Sequence, residues 1–148
     1  MHTTKFMKKG FTIIELLVVS ALIALLASIV FTSITGTRAR SRDSRRETDI
    51  KEIQNAINLY AVNSRAFPVC ATETIINGST DCLSVQLLAA GAMSQVPLDP
   101  LGKASGTCSD PVSYVYCFVS NGTTYTLRHH LETNSIQGKA AEWQSVGP

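Results

Sequence analysis

The chain has 148 residues, of which 45% are hydrophobic and 16% charged, and its formal net charge is +2 at pH 7. This apolar content excludes a disordered tail, and the length allows one small domain with an appendage. The small net charge gives no reason to expect a nucleic-acid partner, because binding to phosphates needs a broad basic surface. The charges are unevenly spread, since Glu15 is the only ionisable residue between Lys9 and Arg38. The first third of the chain therefore differs in kind from the rest.

The apolar stretch from Ile13 to Ile34 predicts a single membrane-spanning helix. As a helix it would extend over roughly 33 Å, which matches the hydrocarbon thickness of a bilayer. A secretory signal peptide would have a shorter apolar core, and an ordinary membrane anchor would not contain an acidic residue such as Glu15. A positive charge is needed to compensate this carboxylate. Cleavage after Gly10 would supply one, the new α-amino group of Phe11.

The residues around this junction carry a resemblance to a known family. The nine residues from Lys8 to Leu16, KKGFTIIEL, resemble the N-terminal signal of type IV prepilins and pseudopilins: a basic leader, a glycine, a phenylalanine, and a glutamate inside an apolar helix. The resemblance implies that a prepilin peptidase of the membrane cuts between Gly10 and Phe11 and N-methylates Phe11. It also implies that Glu15 pairs with the Phe11 amine of a neighbouring subunit during filament assembly.

The resemblance extends into the following segment and implies an organisation for the whole chain. Major pseudopilins of type II secretion are similar to it without a gap from Phe11 to Pro68, although they usually carry a proline where this chain has Thr32. The expected fold is α+β and type IV pilin-like, with a long N-terminal helix packed on a small domain that contains a short helix and an antiparallel β-hairpin or sheet. The expected segments are residues 1–10 as leader, 11–35 as the transmembrane half of the helix, 36–66 as its extracytoplasmic half, and 67–148 as a disulfide-stapled domain.

A single helix from about residue 12 to about residue 64 is predicted, because no proline lies between Phe11 and Pro68. Its second half carries an apolar stripe with spacings of three and four, which is typical of a helix that packs on a domain. The stripe consists of Ile50, Ile53, Ile57 and Tyr60. Five arginines precede it and are expected to form a solvated face near anionic head groups: Arg38, Arg40, Arg42, Arg45 and Arg46.

Four cysteines, all after residue 65, indicate disulfides and an oxidising compartment. Three pairings are open, and the sequential pairs Cys70 with Cys82 and Cys108 with Cys117 are favoured because each closes a short loop. The alternative is four free buried thiols. Disulfides would place the domain outside the cytoplasm, so the N-terminus is expected inside, even though the arginines beyond the span outnumber the lysines of the leader.

The domain is expected to contain one short helix and one hairpin. The helix is predicted from about Leu83 to Ala90, with Leu83 and Leu87 buried and Gly91 at its end. Its N-cap is expected to be Ser79, Thr80 or Asp81. Two strands, 114–120 and 123–131, flank an Asn-Gly pair that is typical of a type I′ turn. In that register Phe118 faces Tyr125 and Tyr116 faces Leu127, and these side chains are interpreted as core.

The sequence contains no catalytic or metal-binding pattern. His129 and His130 are adjacent in a predicted strand, so they point to opposite faces and do not readily bind one ion. Asp99 and Asp110 lie in predicted loops. The resemblance implies calcium in a loop near the C-terminus, but the chain lacks a recognisable acidic loop there. We therefore predict no metal, no cofactor and no enzymatic activity.

These patterns predict a structural subunit of a type IV pilus-like filament, with a type II secretion-like pseudopilin as the favoured interpretation. The implied partners are copies of the chain and other pilins, the prepilin peptidase, an assembly platform protein and an ATPase. The expected location is the cytoplasmic (inner) membrane, with a single span and the N-terminus inside, and then an extracytoplasmic filament. The alternative is a surface type IV pilus, in which the chain would be a major or minor pilin for adhesion, motility or DNA uptake.

Overall fold

The computed structural model describes residues 10–102 and 106–148, without the side chains of 29–35. The chain divides into two compact units, Met1–Thr37 and Arg38–Pro148, and the first is described from residue 10 onwards. An antiparallel sheet with the strand order β1-β2-β3-β4 and two helices confirm the α+β class. The elements are α1 (Ile13–Ser64), β1 (Cys70–Ile75), α2 (Cys82–Ala89), β2 (Cys117–Ser120), β3 (Tyr125–His130) and β4 (Trp143–Val146).

Helix α1 agrees with the single helix predicted for residues 12–64. It ends at Ser64, after which Arg65 adopts a positive φ of 59° and the chain leaves the helical region. Within residues 10–102 and 106–148, no helix combines the length and the apolar character needed to cross a membrane. The transmembrane half expected at residues 11–35 includes positions 29–35, whose side chains lie outside the described residues. That segment stays a prediction.

The core of the second unit forms where the stripe of α1 meets α2 and the sheet. Ile50, Ile53 and Ile57 are at most 2% exposed, which confirms their predicted role. Tyr60 is partly buried against the same core. Burying one such aliphatic side chain is worth about 1.5–3 kcal/mol, so the stripe is a main source of stability. The stripe shares this core with Leu83, Leu87, Phe118, Tyr125 and Leu127.

Helix α2 has the capping residues that the sequence predicted. The Asp81 carboxylate is the N-cap and accepts the backbone N–H of Ser84 at 2.9 Å. At the other end, Gly91 has a φ of 64°, which suits glycine, and donates its N–H to a carbonyl of the last turn at 3.1 Å. Leu83 and Leu87 are fully buried, as predicted. The cap and the buried face together explain why these eight residues are helical.

The predicted register of the hairpin is wrong by two residues. Phe118 pairs with Leu127 rather than with Tyr125, and Tyr116 lies outside strand β2. The turn has four residues, not two, because the Asn121 side-chain oxygen accepts the N–H groups of Thr123 and Thr124, both at 2.9 Å. These bonds draw both threonines into the turn. Since side chains alternate with a period of two, the shift keeps the same face buried.

Strands β1 and β4 were not anticipated from the sequence. Strand β1 pairs with β2 through an irregular register, so its alternation is interrupted. Strand β4 has only four residues and pairs with β3, where Trp143 lies opposite His130. Short or irregular strands give almost no periodic signal.

Both predicted disulfides are present, and the described part of the chain has no free cysteine. Cys70–Cys82 joins the start of β1 to the start of α2, and Cys108–Cys117 ties the preceding loop to β2. The Cα atoms of each pair are 5.9 Å apart, an ordinary separation for such a bond. The sequential pairing is therefore confirmed.

Candidate functional site

The first turn of α1 holds Glu15 through a capping box. Thr12 donates its backbone N–H to Glu15 Oε2 at 3.0 Å and its hydroxyl to the same oxygen at 2.9 Å. In return, Glu15 donates its N–H to Thr12 Oγ1 at 3.3 Å. This reciprocal arrangement satisfies orphan groups at the helix start, where a negative charge also suits the helix dipole. The Thr-x-x-Glu spacing could have been recognised from the sequence, and it was missed.

The proposed cleavage junction immediately precedes this capped turn. Residues 10–12 precede the helix, and the Phe11 side chain is 86% exposed in the single chain. Apart from its chain neighbours, no described residue has an atom within 4 Å of the position that a Cβ at Gly10 would take. The first turn therefore brings together the junction and the only acidic residue of the apolar stretch. The roles predicted for Gly10, Phe11 and Glu15 in processing and assembly stay predictions.

A second charged cluster surrounds Arg46 in the unit Arg38–Pro148. Arg46 is completely buried, and its guanidinium donates to Asp99 Oδ2 at 2.6 Å, Glu132 Oε1 at 2.7 Å and Asp43 Oδ1 at 2.8 Å. Burial alone would lower the pKa of Arg46, but these three carboxylates raise it above its ordinary value. The prediction that Arg46 belongs to a solvated face is therefore wrong. Arg46 is an internal cation.

Two neighbouring residues extend this cluster to the segment after β3. Arg42 binds Glu132 with both Nε and Nη2, and the pKa of Glu132 is lowered to about 2, chiefly by this contact. Asp43 accepts the N–H groups of Glu132 and Thr133 at 2.9 and 2.8 Å. Arg42 is therefore only partly exposed to solvent, so the predicted solvated face is also wrong at this position. Charged and hydrogen-bonded contacts fasten this segment to α1.

The two histidines point to opposite faces, as the sequence indicated. His129 is fully buried and its Nε2 lies 2.9 Å from Glu47 Oε1, while Lys139 donates to both oxygens of Glu47. Burial lowers the pKa of His129, and the Glu47 carboxylate only partly offsets this. His130 lies edge-on to Trp143 on the other face. In the described ranges, no three potential ligands are grouped to hold a metal ion.

A further acid of α1 was not anticipated as a functional residue. The hydroxyl of Tyr116 donates to Asp49 Oδ2 at 2.9 Å, and burial raises the pKa of Asp49. Asp49 is 6% exposed and borders an open groove between α1 and the segment 95–100. Its partner lies 67 residues away in the sequence, so no local pattern could have predicted the pair.

The N-terminal sequence indicates the class of protein that this chain resembles. The prokaryotic N-terminal methylation motif matches residues 5–31, which include the basic leader, the glycine–phenylalanine junction and Glu15. The chain therefore carries the N-terminal motif of prepilin-type proteins. No solved structure matches it.

The relatives narrow this class, because the chain is homologous to type II secretion system core protein G, the major pseudopilin. It is 26% identical to that protein of Escherichia coli (strain K12) over 98 residues, which cover 64% of this chain and 68% of the relative. It is 28% identical to that of Vibrio cholerae over 95 residues, 63% of this chain and 65% of the relative. The Aeromonas hydrophila protein is 25% identical over 98 residues, 64% and 68% of the two chains. The chain thus spans about two thirds of the length of these relatives, which support a pseudopilin subunit.

Proposed function

We propose that the chain is a structural subunit of a type II secretion-like pseudopilus. The observation that carries the proposal is the methylation motif at residues 5–31, combined with relatives that are all type II secretion system core protein G. That family is structural and not known as an enzyme. Subunits that bind head to tail without closing a ring form an open helical polymer, so the function lies in assembly rather than in catalysis.

Processing is proposed at the junction Gly10–Phe11. A prepilin peptidase would remove residues 1–10, and methylation of the Phe11 amine would follow. Support comes from the exposed Phe11 side chain and from the space that the described residues leave around Gly10, ahead of the first turn. The cut also creates a positive charge close to Glu15, which provides the counter-ion that an acid in an apolar segment needs.

Glu15 is proposed to pair with the Phe11 amine of a neighbouring subunit. In the single chain its carboxylate already accepts two hydrogen bonds from Thr12, both to Oε2, so the capping box holds the side chain at the helix start. The second oxygen, Oε1, accepts no hydrogen bond from any residue in the described part of the chain. An incoming amine could therefore bind without breaking the cap.

The proposed location is the cytoplasmic membrane, with residues 11–35 as a single span and the disulfide-bonded unit outside. The two disulfides support an oxidising compartment for that unit. The proposed partners are copies of the chain, other pseudopilins, the peptidase, an assembly platform protein and its ATPase.

Mass spectrometry of the membrane-bound chain tests the proposed processing. With the peptidase present, the mature protein should begin at Phe11 and carry one added methyl group. A Gly10→Val variant places a bulky side chain at the junction and should keep residues 1–10. A wild-type chain that retains its leader beside an active peptidase would refute the proposal. For the filament itself, deletion of the gene should block export of secreted enzymes, whereas lost adhesion or motility with normal export would favour a surface pilus.

A further inference from the structure

An open groove runs along the exposed side of α1 in the unit Arg38–Pro148. It has a volume of about 720 Å³ and is walled by α1 on one side and by the segment 95–100 on the other. Its α1 wall contributes Arg45, Asp49 and Glu52. Gln95 and Asn77 add polar side chains from the opposite wall. The groove is therefore polar, and acids outnumber bases along its helical wall.

The acids of this groove are incompletely paired. Asp49 accepts the Tyr116 hydroxyl on Oδ2, but its Oδ1 receives no hydrogen bond from any residue in the described part of the chain. Its side chain is 9% exposed, and its charge has thus lost most of its water. The Arg45 Nε atom is 4.0 Å from Oδ2, and that side chain is 68% exposed, so this pair is weak. Glu52 is exposed and has no ion-pair partner among the described residues.

Complementary cations occur on the same chain. Arg38 and Arg40 lie on α1 in the same unit, are exposed, and have no ion-pair partner within residues 10–102 and 106–148. Arg42 and Arg46 are not available, because Glu132, Asp43 and Asp99 occupy their donors. Within one helix, Arg38 and Glu52 are 14 residues apart, or about 21 Å, and cannot meet. A second copy, displaced along the helix axis, can bring them together.

We propose that this groove receives the Arg38–Arg40 segment of a second copy of the chain. A guanidinium seated there would donate to Asp49 Oδ1 and Glu52, the two acceptors that one chain leaves open. For parallel copies, one displacement of about 17 Å brings Arg38 level with Asp49 and Arg40 level with Glu52. Because donor and acceptor lie on different parts of the surface, the contact is head to tail and can repeat without closing.

The physical reasons favour this occupant over solvent. Burial opposes the charged form of Asp49 and raises its pKa, so the charged side chain destabilises the single chain. A cation bound next to Asp49 would favour its charged form and lower the pKa. The fixed Tyr116 hydroxyl orients the carboxylate before binding, which reduces the entropy cost of the new contact. The inference rests on the proposed filament function and specifies which surfaces meet in it.

Charge exchange in the full-length chain, expressed with its peptidase and assembly machinery, tests the contact. Glu52→Arg alone and Arg40→Glu alone should each lower the polymer recovered from cells by about tenfold or more. Combining these two substitutions restores opposite charges where Arg40 meets Glu52 and should recover much of the polymer. Glu142→Arg makes the same charge change at an exposed position away from the groove and should leave the polymer unchanged.

A second measurement does not depend on charge reversal. Asp49→Asn keeps an acceptor for Tyr116 but removes the charge, so it should reduce polymer without lowering the unfolding midpoint of the detergent-solubilised chain. A photoreactive benzoylphenylalanine at Gln95 should crosslink to the peptide that contains Arg38 and Arg40 of another copy.

The outcomes separate the contact from the filament itself. Wild-type polymer with unaffected Glu52→Arg and Asp49→Asn variants would overturn the contact and leave the proposed function standing. Loss of polymer in Arg40→Glu without recovery in the combined variant would assign this arginine to the lipid surface and would also overturn the contact. A crosslink to any other protein or segment would do the same. A processed wild-type chain that never polymerises would overturn both.

Discussion

Replacement of Arg46 by methionine is expected to destabilise the folded chain strongly. The substitution preserves most of the apolar stem but removes a guanidinium that is fully buried. Four hydrogen bonds to carboxylate oxygens are lost, two to Asp99 and one each to Asp43 and Glu132. Asp43 and Asp99 have side chains at most 1% exposed, so their charges cannot regain water unless the structure opens.

The magnitude follows from the carboxylates left behind. Removing one partner of a buried ion pair costs about 3–5 kcal/mol, because the remaining charge is buried without compensation. The total stability of a domain is about 5–15 kcal/mol, so the loss is a large part of it. Arg45→Met is the matched control, since that side chain is 68% exposed and its nearest acid is 4.0 Å away. That change should cost no more than about 0.5 kcal/mol.

Urea unfolding of the oxidised full chain in detergent measures both variants through the fluorescence of its only tryptophan, Trp143. The reasoning also predicts a pH signature. Wild type should lose stability as pH falls from 4.5 towards 2, the range over which Glu132 is protonated only in the unfolded chain. In Arg46→Met, protonation relieves the unpaired carboxylates, so the gap between the two proteins should narrow. A loss below about 1 kcal/mol, or a gap independent of pH, would refute this account.

Acidification from about pH 7.5 to pH 5.5 should lower the free energy of unfolding, because burial lowers the pKa of His129 and only the unfolded chain readily binds the proton there. Urea midpoints at the two pH values measure this, and a His129→Gln variant with an equally steep decline would contradict it. Replacing both Cys108 and Cys117 with serine should cost about 2–4 kcal/mol through the freed loop. An unchanged thermal midpoint would contradict that contribution. Glu15→Ala should insert into membranes as wild type does but fail to enter filaments, and normal filaments from this variant, seen by electron microscopy, would disprove the pairing with the Phe11 amine.

The sequence predicted those parts of the fold in which short-range pattern and final contact coincide. Ile50, Ile53 and Ile57 recur at helical spacing and all face the core. The capped helix α2 and both disulfides depend on neighbours within a dozen residues. In each of these, local spacing alone limits the geometry, so the prediction needed no knowledge of the tertiary structure.

The remaining contacts depend on residues that are distant in sequence. Arg46 meets Asp99 and Glu132 across 53 and 86 residues, so its partners could not be predicted from its neighbours in the sequence. One signal was available: Asp43 and Arg46 continue the three-and-four spacing of the isoleucine stripe towards the N-terminus. A charged residue in phase with a buried stripe indicates an internal ion pair. At the candidate site, the methylation motif could be recognised directly from the sequence. The Thr12 cap could have been predicted only from the three-residue spacing between Thr12 and Glu15.

The stripe on α1 is apolar at Ile50 to Ile57 and ionic at Asp43 to Arg46. Isoleucines are alike, so a slide of the helix by one turn would place one aliphatic side chain where another had been. The ionic end does not tolerate that slide. In one direction it would bring Ile50 to Asp99 and Glu132, the two acids outside the helix that bind Arg46. In the other direction it would put Ala39 in place of Asp43, which accepts the N–H groups of Glu132 and Thr133. The buried ion pairs at this end therefore fix the axial position of the helix in its domain. A subunit pulled along its helix would transmit the force to the domain without slipping.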